Sequence, residues 1–315
     1  KGSYFVGGPH RLTVGETKVT HYLDGLGKIH KFHFGEGSLS WTSKDFTGQI
    51  DNASSSLGKY APSVIFQETS PPRCTGTVCW LKNLFGANDN DYVQQIQMGD
   101  DLMYGLTDDA YVTAYSSDLD YRPVAFTDSL SGSATVAHAV KDPATGTVTG
   151  LMTVTPKLPF VKASQIVFQM TEAEPERRVA VATVQLESSV PPYQHSFGAS
   201  SKHAVLCEHA WTFDNTALVE GKMVMDASLI NGSKPTKLHL VDLESGESIA
   251  YESPESFLCI HFANTWENET AVSFDMPTWQ DATPGGNGDG NQACNPYGVF
   301  DFASVSNKTA RDGFN

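Results

Sequence analysis

Basic charge is scarce in this chain. Lys and Arg number 21 against 36 Asp and Glu in 315 residues, a formal net charge of −15. A nucleic-acid face needs concentrated Lys and Arg to displace counterions from phosphates, so this balance argues against nucleic acid as a partner. It leaves membrane contact open, because docking can be apolar and local. Long hydrophobic runs are missing too: none reaches the ~18 residues that a bilayer-spanning helix needs. No signal peptide is visible. Lys1 begins inside what reads as a strand, KGSYFVGG, so the natural N-terminus and any targeting peptide are expected to lie upstream.

Cysteine is sparse, odd in number and scattered: Cys74, Cys79, Cys207, Cys259 and Cys294. Cys74 and Cys79 have no second close pair, which argues against a zinc ribbon and for a reduced intracellular chain. The N-x-S/T sequons at Asn52, Asn231, Asn268 and Asn307 read as chance matches, since they need a secretory context to matter. Common catalytic signatures are also lacking. There is no GxSxG, no phosphate-cradling GxxxxGK[ST] and no HExxH. His195-Ser196 suggests a hydrolase pair, but adjacent residues on a strand point to opposite faces. GGNGDGNQ resembles a calcium loop only loosely and lacks its closing Glu.

What is present is a core and many short strands. Hydrophobic residues make up 40% and charged residues only 18%, which suits a globular chain rather than a disordered acidic one. IVFQM, RVAVATVQL, HAVLCEH, KLHLVDL and AVSFDM are rich in β-branched and aromatic residues. DPATGTVTG, LINGSKP, DLESGES and WENET punctuate them as turns, and KLHLVDLESGESIAYES reads as a hairpin. Helical periodicity is scarce, so the pattern predicts an all-β sandwich, barrel or propeller. No exact repeat supports a WD40 or kelch assignment.

Two stretches stand apart. SPPRCTGTVCWLKNLFGANDND gathers Trp80, Leu81, Leu84 and Phe85, either as a short helix on the core or as a patch that dips into a membrane interface. From Pro277 onward the composition turns to Gly, Asn and Pro, so residues 277–315 are expected to form an irregular tail after a folded part at 1–276.

Three of the ten histidines have suggestive contexts. His138 sits at a strand end before a turn, in SATVAHAVKDPATG. His195 follows a Pro pair and precedes a strand, in PPYQHSFGASSKHAVL. His261 lies in SFLCIHFANTWENE, read as a largely apolar strand. They are spaced by close to one propeller blade, roughly 40–60 residues. One histidine on the innermost strand of each blade would aim all three at a common axis.

These segments carry a family resemblance. YQHSFGAS resembles the aromatic-x-His-Ser-Phe-Gly segment of carotenoid cleavage oxygenases, HFANTWENE their His-x-x-Asn-x-aromatic-Glu segment, and TVAHAVKDPATG their Thr-x-His before a turn. GSYFVGGPHRLTVGETKVTHYLDGLGKIHKFHF resembles the family's N-terminal signature, and PPRCTGTVCWLKNLF its Pro-x-x-Cys segment beside the membrane-facing surface. The matches run in family order from about residue 2 to 276.

The resemblance implies a seven-bladed propeller, of which this chain is the first four or five blades. It implies iron(II) held by four histidines, with His138, His195 and His261 as three of them and the fourth beyond the end of this chain. Matching YGLTDDAYVTAY to a family strand, it places Asp108, or Asp109 in a register shifted by one, where the family has a glutamate that orients a ligand imidazole. The implied reaction is cleavage of a conjugated C=C bond of a carotenoid or apocarotenoid by O2 to two carbonyl products, without nicotinamide or flavin. Retinyl-ester isomerohydrolysis is the other chemistry in the family. An incomplete, weakly active or non-catalytic propeller fragment or binding module is the remaining alternative. The implied setting is intracellular, cytoplasmic or plastid, with peripheral membrane contact through Trp80, Leu81, Leu84 and Phe85.

Overall fold

A computed structural model describes residues 1–46, 48–59, 61, 66–72, 89–156, 158, 160–214, 223, 224, 227–254, 256–279 and 298–301. The chain divides into two compact units, Lys1–Ala125 with Asp214–Ser228 and Phe126–Phe213 with Leu229–Asn315. The patch residues Trp80, Leu81, Leu84 and Phe85 lie outside the described residues.

In the first unit Gly2–Arg11, Leu26–Phe34 and Leu39–Asp45 form an antiparallel meander, and Gln94–Gly99, Leu102–Leu106, Thr113–Tyr115 and Tyr121–Pro123 form a four-stranded one. Ile29, Phe46, Tyr92, Tyr115 and Leu119 make a shared core. A helix spans Gln49–Leu57 despite a polar sequence. Its first amides are capped from far along the chain, with Asp89 accepting from the N–H groups of Gln49 and Ile50. Tyr4 pairs with Phe32 and Phe32 with Trp41, while Phe34 pairs with Leu39. Period-two alternation puts these side chains on one face, where Tyr4, Phe34, Leu39 and Trp41 are exposed.

In the second unit the inner strands are buried at nearly every position, as along Val148–Val154, His203–Glu208 and Lys237–Asp242. Ala134–Thr135 and Val140–Lys141 form the edge of a sheet continued by Val148–Val154, Ser164–Met170 and Val179–Gln185. The next sheet runs Gly198–Ala199, His203–Glu208, Lys237–Asp242 and Ser248–Glu252. A third runs Asn264–Glu267, Ala271–Asp275 and Gly298–Asp301. Along His203–Glu208, Ala204 and Leu206 join a cluster with Leu151, Val167 and Val184 of the preceding sheet. Val205 and Cys207 face the other way, into a cluster with Val272 and Phe274 of the following sheet. The middle sheet is thus buried on both faces, as in stacked propeller blades, and strict polar alternation is lost. Cys207 and Cys259 are free and buried in this second cluster, and burial pushes the Cys207 thiol up, helped by Cys259 beside it.

The same turn closes two hairpins. Asp142 accepts from the Ala144 amide and the Thr145 hydroxyl, and Gly146 adopts φ +74°. A hundred residues on, Asp242 accepts from the amides of Glu244 and Ser245, and Gly246 adopts φ +77°. Asp-x-x-x-Gly is therefore a recurrent local device in a chain without an exact repeat. Both glycines occupy the left-handed region, where a Cβ is disfavoured.

Three local expectations change. SFLCIHFANTWE is two short strands rather than one: Leu258–Cys259 pair with Thr278–Trp279, and Asn264–Glu267 pair with Val272–Asp275, leaving His261 in the connection. Asp108 lies in a bend just past Leu102–Leu106 rather than in a strand. The stretch after Pro277 supplies two strands, because Thr278–Trp279 and Gly298–Asp301 add to sheet edges that would otherwise leave backbone groups unpaired.

His209 fixes an acid-sensitive point in this unit. The imidazole is fully buried; its Nδ1 accepts from the Trp211 amide at 3.2 Å, so its Nε2–H donates to the Tyr193 carbonyl at 2.7 Å. Burial lowers its pKa to about 4. In the unfolded chain it protonates near ~6.5, so folding stability is fully present above that pH and falls as pH drops toward 4. Across that window the loss is about 3 kcal/mol, since each pKa unit carries ~1.4 kcal/mol. Glu208 extends the loss downward. Burial alone would raise it, but hydrogen bonds from His239 and the Glu187 amide outweigh that and hold it at about 2. Urea unfolding followed from pH 7 to 4 is expected to show this decline, and His209→Gln is expected to flatten it. An equal slope in the variant would remove His209 as the cause.

Candidate metal centre

Each histidine of interest sits where a sheet's edge strand breaks or begins. His138 falls in the gap between Ala134–Thr135 and Val140–Lys141, both of which pair with Val148–Val154. The gap frees its backbone to form a parallel bridge with Ser196 of the next sheet. His195 lies just ahead of the edge strand Gly198–Ala199, and His261 just ahead of Asn264–Glu267. The edge strands approach closely because position 198 is Gly: a Cβ there would meet Thr265 Oγ1 at 2.4 Å and Phe262 Cδ1 at 2.9 Å.

The three imidazoles converge. Ring centroids are 4.8 Å apart for His138 and His195, 5.1 Å for His138 and His261, and 4.9 Å for His195 and His261. Among the described residues this is the group of three His, Cys, Asp or Glu side chains that gathers donor atoms, all within 4.8 Å of one another. His138 and His195 are half-buried and His261 is exposed. The rings meet edge to face, at 69–80°, rather than stacked.

The spacing of His138 and His195 fits two ligands of one transition metal. His138 Nε2 and His195 Nε2 are 3.1 Å apart. Two imidazole nitrogens each ~2.1 Å from one ion and at right angles would be separated by about 3 Å. Neutral imidazoles suit iron, zinc, copper and nickel, and they leave the ion its full charge.

The second nitrogen of His195 is held by Tyr193, whose Oη lies 3.2 Å from Nδ1. Tyr193 and His195 are two apart and share a face. The Tyr193 ring packs on Trp211 at 4.7 Å and Phe213 at 5.9 Å, and the Tyr193 backbone carbonyl accepts a hydrogen bond from His209 Nε2–H. A metal on Nε2 would leave the hydrogen on Nδ1, which would donate to Tyr193 Oη; a hydroxyl two residues back in the same segment would thereby set the tautomer.

Along the edge strands beyond the histidines lies a cavity of about 520 Å³ lined by Val140, Phe197, Phe262, Trp266, Lys141 and Glu267 among others. Glu267 accepts from the hydroxyls of Ser200 and Ser201, and its Oε2 is 2.7 Å from His203 Nδ1. Burial raises the Glu267 carboxyl, but these bonds, His203 foremost, carry it below the usual range. They tie the His195 sheet to the sheet that follows His261.

The histidines chosen from sequence are therefore the ones brought together. Asp108 and Asp109 belong to the other compact unit, where Asp109 Oδ1 accepts from the Ala110 amide at 2.6 Å. Tyr193 was not singled out, although its i−2 spacing in YQHS keeps it near His195.

Meander sheets stacked face to face, with histidines meeting where their edges adjoin, define a propeller protein with a three-histidine cluster that could hold a metal ion. The chain matches the profile of the RPE65 family, retinal pigment epithelial membrane protein, over residues 1–298, and belongs to that family of carotenoid oxygenases. It is 22% identical over 304 residues to a Gallus gallus β,β-carotene 15,15′-dioxygenase, covering 87% of this chain and 56% of that protein. It is 23% identical over 286 residues to the chloroplastic carotenoid cleavage dioxygenase 8 homolog A of Oryza sativa, covering 85% and 49%. The chain thus spans about half the length of the curated relatives it matches. Among solved structures, cobalt-substituted apocarotenoid oxygenase of Synechocystis superposes with a TM-score of 0.76 at 15% identity, covering 97% of this chain and 65% of that one. Lignostilbene dioxygenase of Pseudomonas brassicacearum gives 0.70 at 16% identity, covering 88% and 55%. The fold is part of the seven-bladed β-propeller of these enzymes. Among the described residues no helix is long and apolar enough to cross a membrane.

Proposed function

We propose that the protein is a non-heme iron(II) dioxygenase that splits a conjugated C=C bond of a carotenoid or apocarotenoid into two carbonyl products. The convergence of His138, His195 and His261 from three sheet edges carries this reading. Iron bound there would supply the activation of O2, which protein side chains cannot perform. The chain's own residues do the rest. The three imidazoles present neutral donors, Tyr193 Oη holds the Nδ1 proton of His195, and the sheet edges fix the rings in place. Asp108 is proposed as an outer carboxylate that orients an imidazole. Trp80, Leu81, Leu84 and Phe85 are proposed to seat the protein on an intracellular membrane, from which a polyene can be drawn.

A second reading, a non-catalytic propeller fragment, is favoured by one observation. Tyr4, Phe34, Leu39 and Trp41 leave an apolar sheet face exposed, in a chain half the length of its relatives.

The test is product analysis. The iron-loaded chain is incubated under ¹⁸O2 with β-carotene or an apocarotenal and, in a separate reaction, with a retinyl ester. Two aldehyde or ketone products carrying label, absent without iron, are expected. A retinol-type alcohol formed from a retinyl ester without chain cleavage would point to isomerohydrolysis. Absence of any iron-dependent product would leave the fragment reading.

A further inference from the structure

Ser196 occupies the junction of all three histidine segments. It follows His195 in the chain. Its backbone forms the parallel bridge with His138. Its hydroxyl accepts the amide of Phe262, the residue after His261, at 3.2 Å. The side chain is only 4% exposed, and the Ser196 carbonyl is itself held by the Gln194 side chain, which in turn takes a hydrogen bond from Gln165 Nε2 at 3.1 Å. Gln194 and Gln165 are both buried, so the junction is braced from the sheet behind it.

The three histidines are not held equally. His138 is fixed by the backbone bridge and His195 by its covalent place beside Ser196. His261 lies in a connection with no strand ladder through it; flanking anchors are Cys259 Sγ on the His261 carbonyl at 3.6 Å and the Ala263 amide on Asp275. The Phe262–Ser196 hydrogen bond ties this connection to the segment carrying His195, which the Ser196 bridge joins in turn to His138.

We infer that Ser196 is a positioning residue: it sets three sheet edges in register, and its hydroxyl in particular holds His261 against the other two imidazoles. The inference rests on the reading that these imidazoles bind a metal. A hydroxyl suits the task because it accepts a backbone N–H and is short enough to keep two edges in close contact. Alanine retains the backbone bridge but leaves the Phe262 amide without this acceptor.

The experiment uses the full chain and two readouts. Cobalt(II) is titrated and followed by its visible absorption, and exchange of the Phe262 amide is followed by NMR. Ser196→Ala is expected to weaken cobalt binding about 10–100-fold, the range for losing a group that orients a metal ligand. It is also expected to speed Phe262 amide exchange by about 10-fold or more. Ser196→Thr keeps the hydroxyl and is expected to restore both. Leu206→Ala, in the buried cluster between two sheets, touches no histidine hydrogen bond named above and controls for lost stability. The proposal is overturned if Ser196→Ala binds cobalt as tightly as the native chain, or no more weakly than Leu206→Ala at matched thermal midpoint. It is also overturned if Phe262 exchange is unchanged. If the native chain takes up no cobalt, the metal reading fails, and the exchange comparison alone still decides whether Ser196 holds the connection.

Discussion

Replacing His195 with alanine is expected to lower the affinity for cobalt(II) or iron(II) by more than about 100-fold while leaving the thermal midpoint nearly unchanged. Loss of a group that merely orients a ligand costs 10–100-fold, so loss of one of three donors should exceed it. His195 is the central donor: its Nε2 is 3.1 Å from that of His138, and its ring is 4.9 Å from His261. Without it the remaining two rings offer a weak two-nitrogen site. The fold should tolerate the change, because His195 is half-buried and the sheet contacts come from Phe197, Ala199 and their neighbours. His30→Ala is the matched control, an imidazole stacked on exposed Trp41 in the first unit, and it is expected to leave metal binding intact. Isothermal titration of the three proteins makes the comparison. Equal affinities for native and His195→Ala would contradict the site.

Asp128→Ala is expected to destabilise the second unit by about 3–5 kcal/mol, the usual cost of stripping one partner from a buried ion pair. Arg178 Nη2 donates to Asp128 Oδ1 at 2.8 Å and Arg178 Nε to Oδ2 at 3.1 Å, with side-chain exposures of 7% and 10%. The Arg178 amide donates to the same carboxylate at 2.8 Å, and Nη2 also donates to the Leu130 carbonyl at 2.6 Å. The guanidinium lies 4.0 Å from the Phe126 ring centroid. Burial works to raise the Asp128 carboxyl, but the Arg178 hydrogen bonds hold it below the usual carboxylate range. Alanine therefore leaves a buried cation without its counter-charge. The bond anchors the segment that runs on to Ala134–Thr135 and His138, so part of the cost should appear as weaker metal binding. Urea denaturation at pH 7 measures the first effect. A second change, Arg178→Met, should recover part of the loss, because it removes the stranded charge. A loss under about 1 kcal/mol for Asp128→Ala would mean that the pair is effectively solvated.

Much of the fold is legible in the sequence because its strands are short, β-branched and bounded by Gly-containing turns. HAVLCE and KLHLVD pair as neighbours, and ESGES makes the hairpin that its composition suggests. The histidines were found through family-like contexts rather than spacing, since spacing alone fits many chains. Connections were less legible. SFLCIHFANTWE looks like one strand because nothing in composition marks where pairing with Thr278–Trp279 stops and pairing with Val272–Asp275 begins. Partners remote in sequence were invisible for the same reason. Nothing local announces that Ser196 will accept from Phe262, that Asp128 will face Arg178, or that Asp89 will cap the helix at Gln49. Tyr193 lies only two residues from His195, yet residues 193–195 form no strand, so no fixed alternation announces that its hydroxyl will meet the imidazole.

The most direct measurement is X-ray absorption at the cobalt edge of the cobalt-loaded native chain. If imidazoles from three sheet edges share one ion, the spectrum will show the outer-shell multiple scattering of about three imidazole rings, and His261→Ala will remove one of them. A coordination shell of oxygen alone, or the same spectrum from native and His261→Ala, would contradict the shared site.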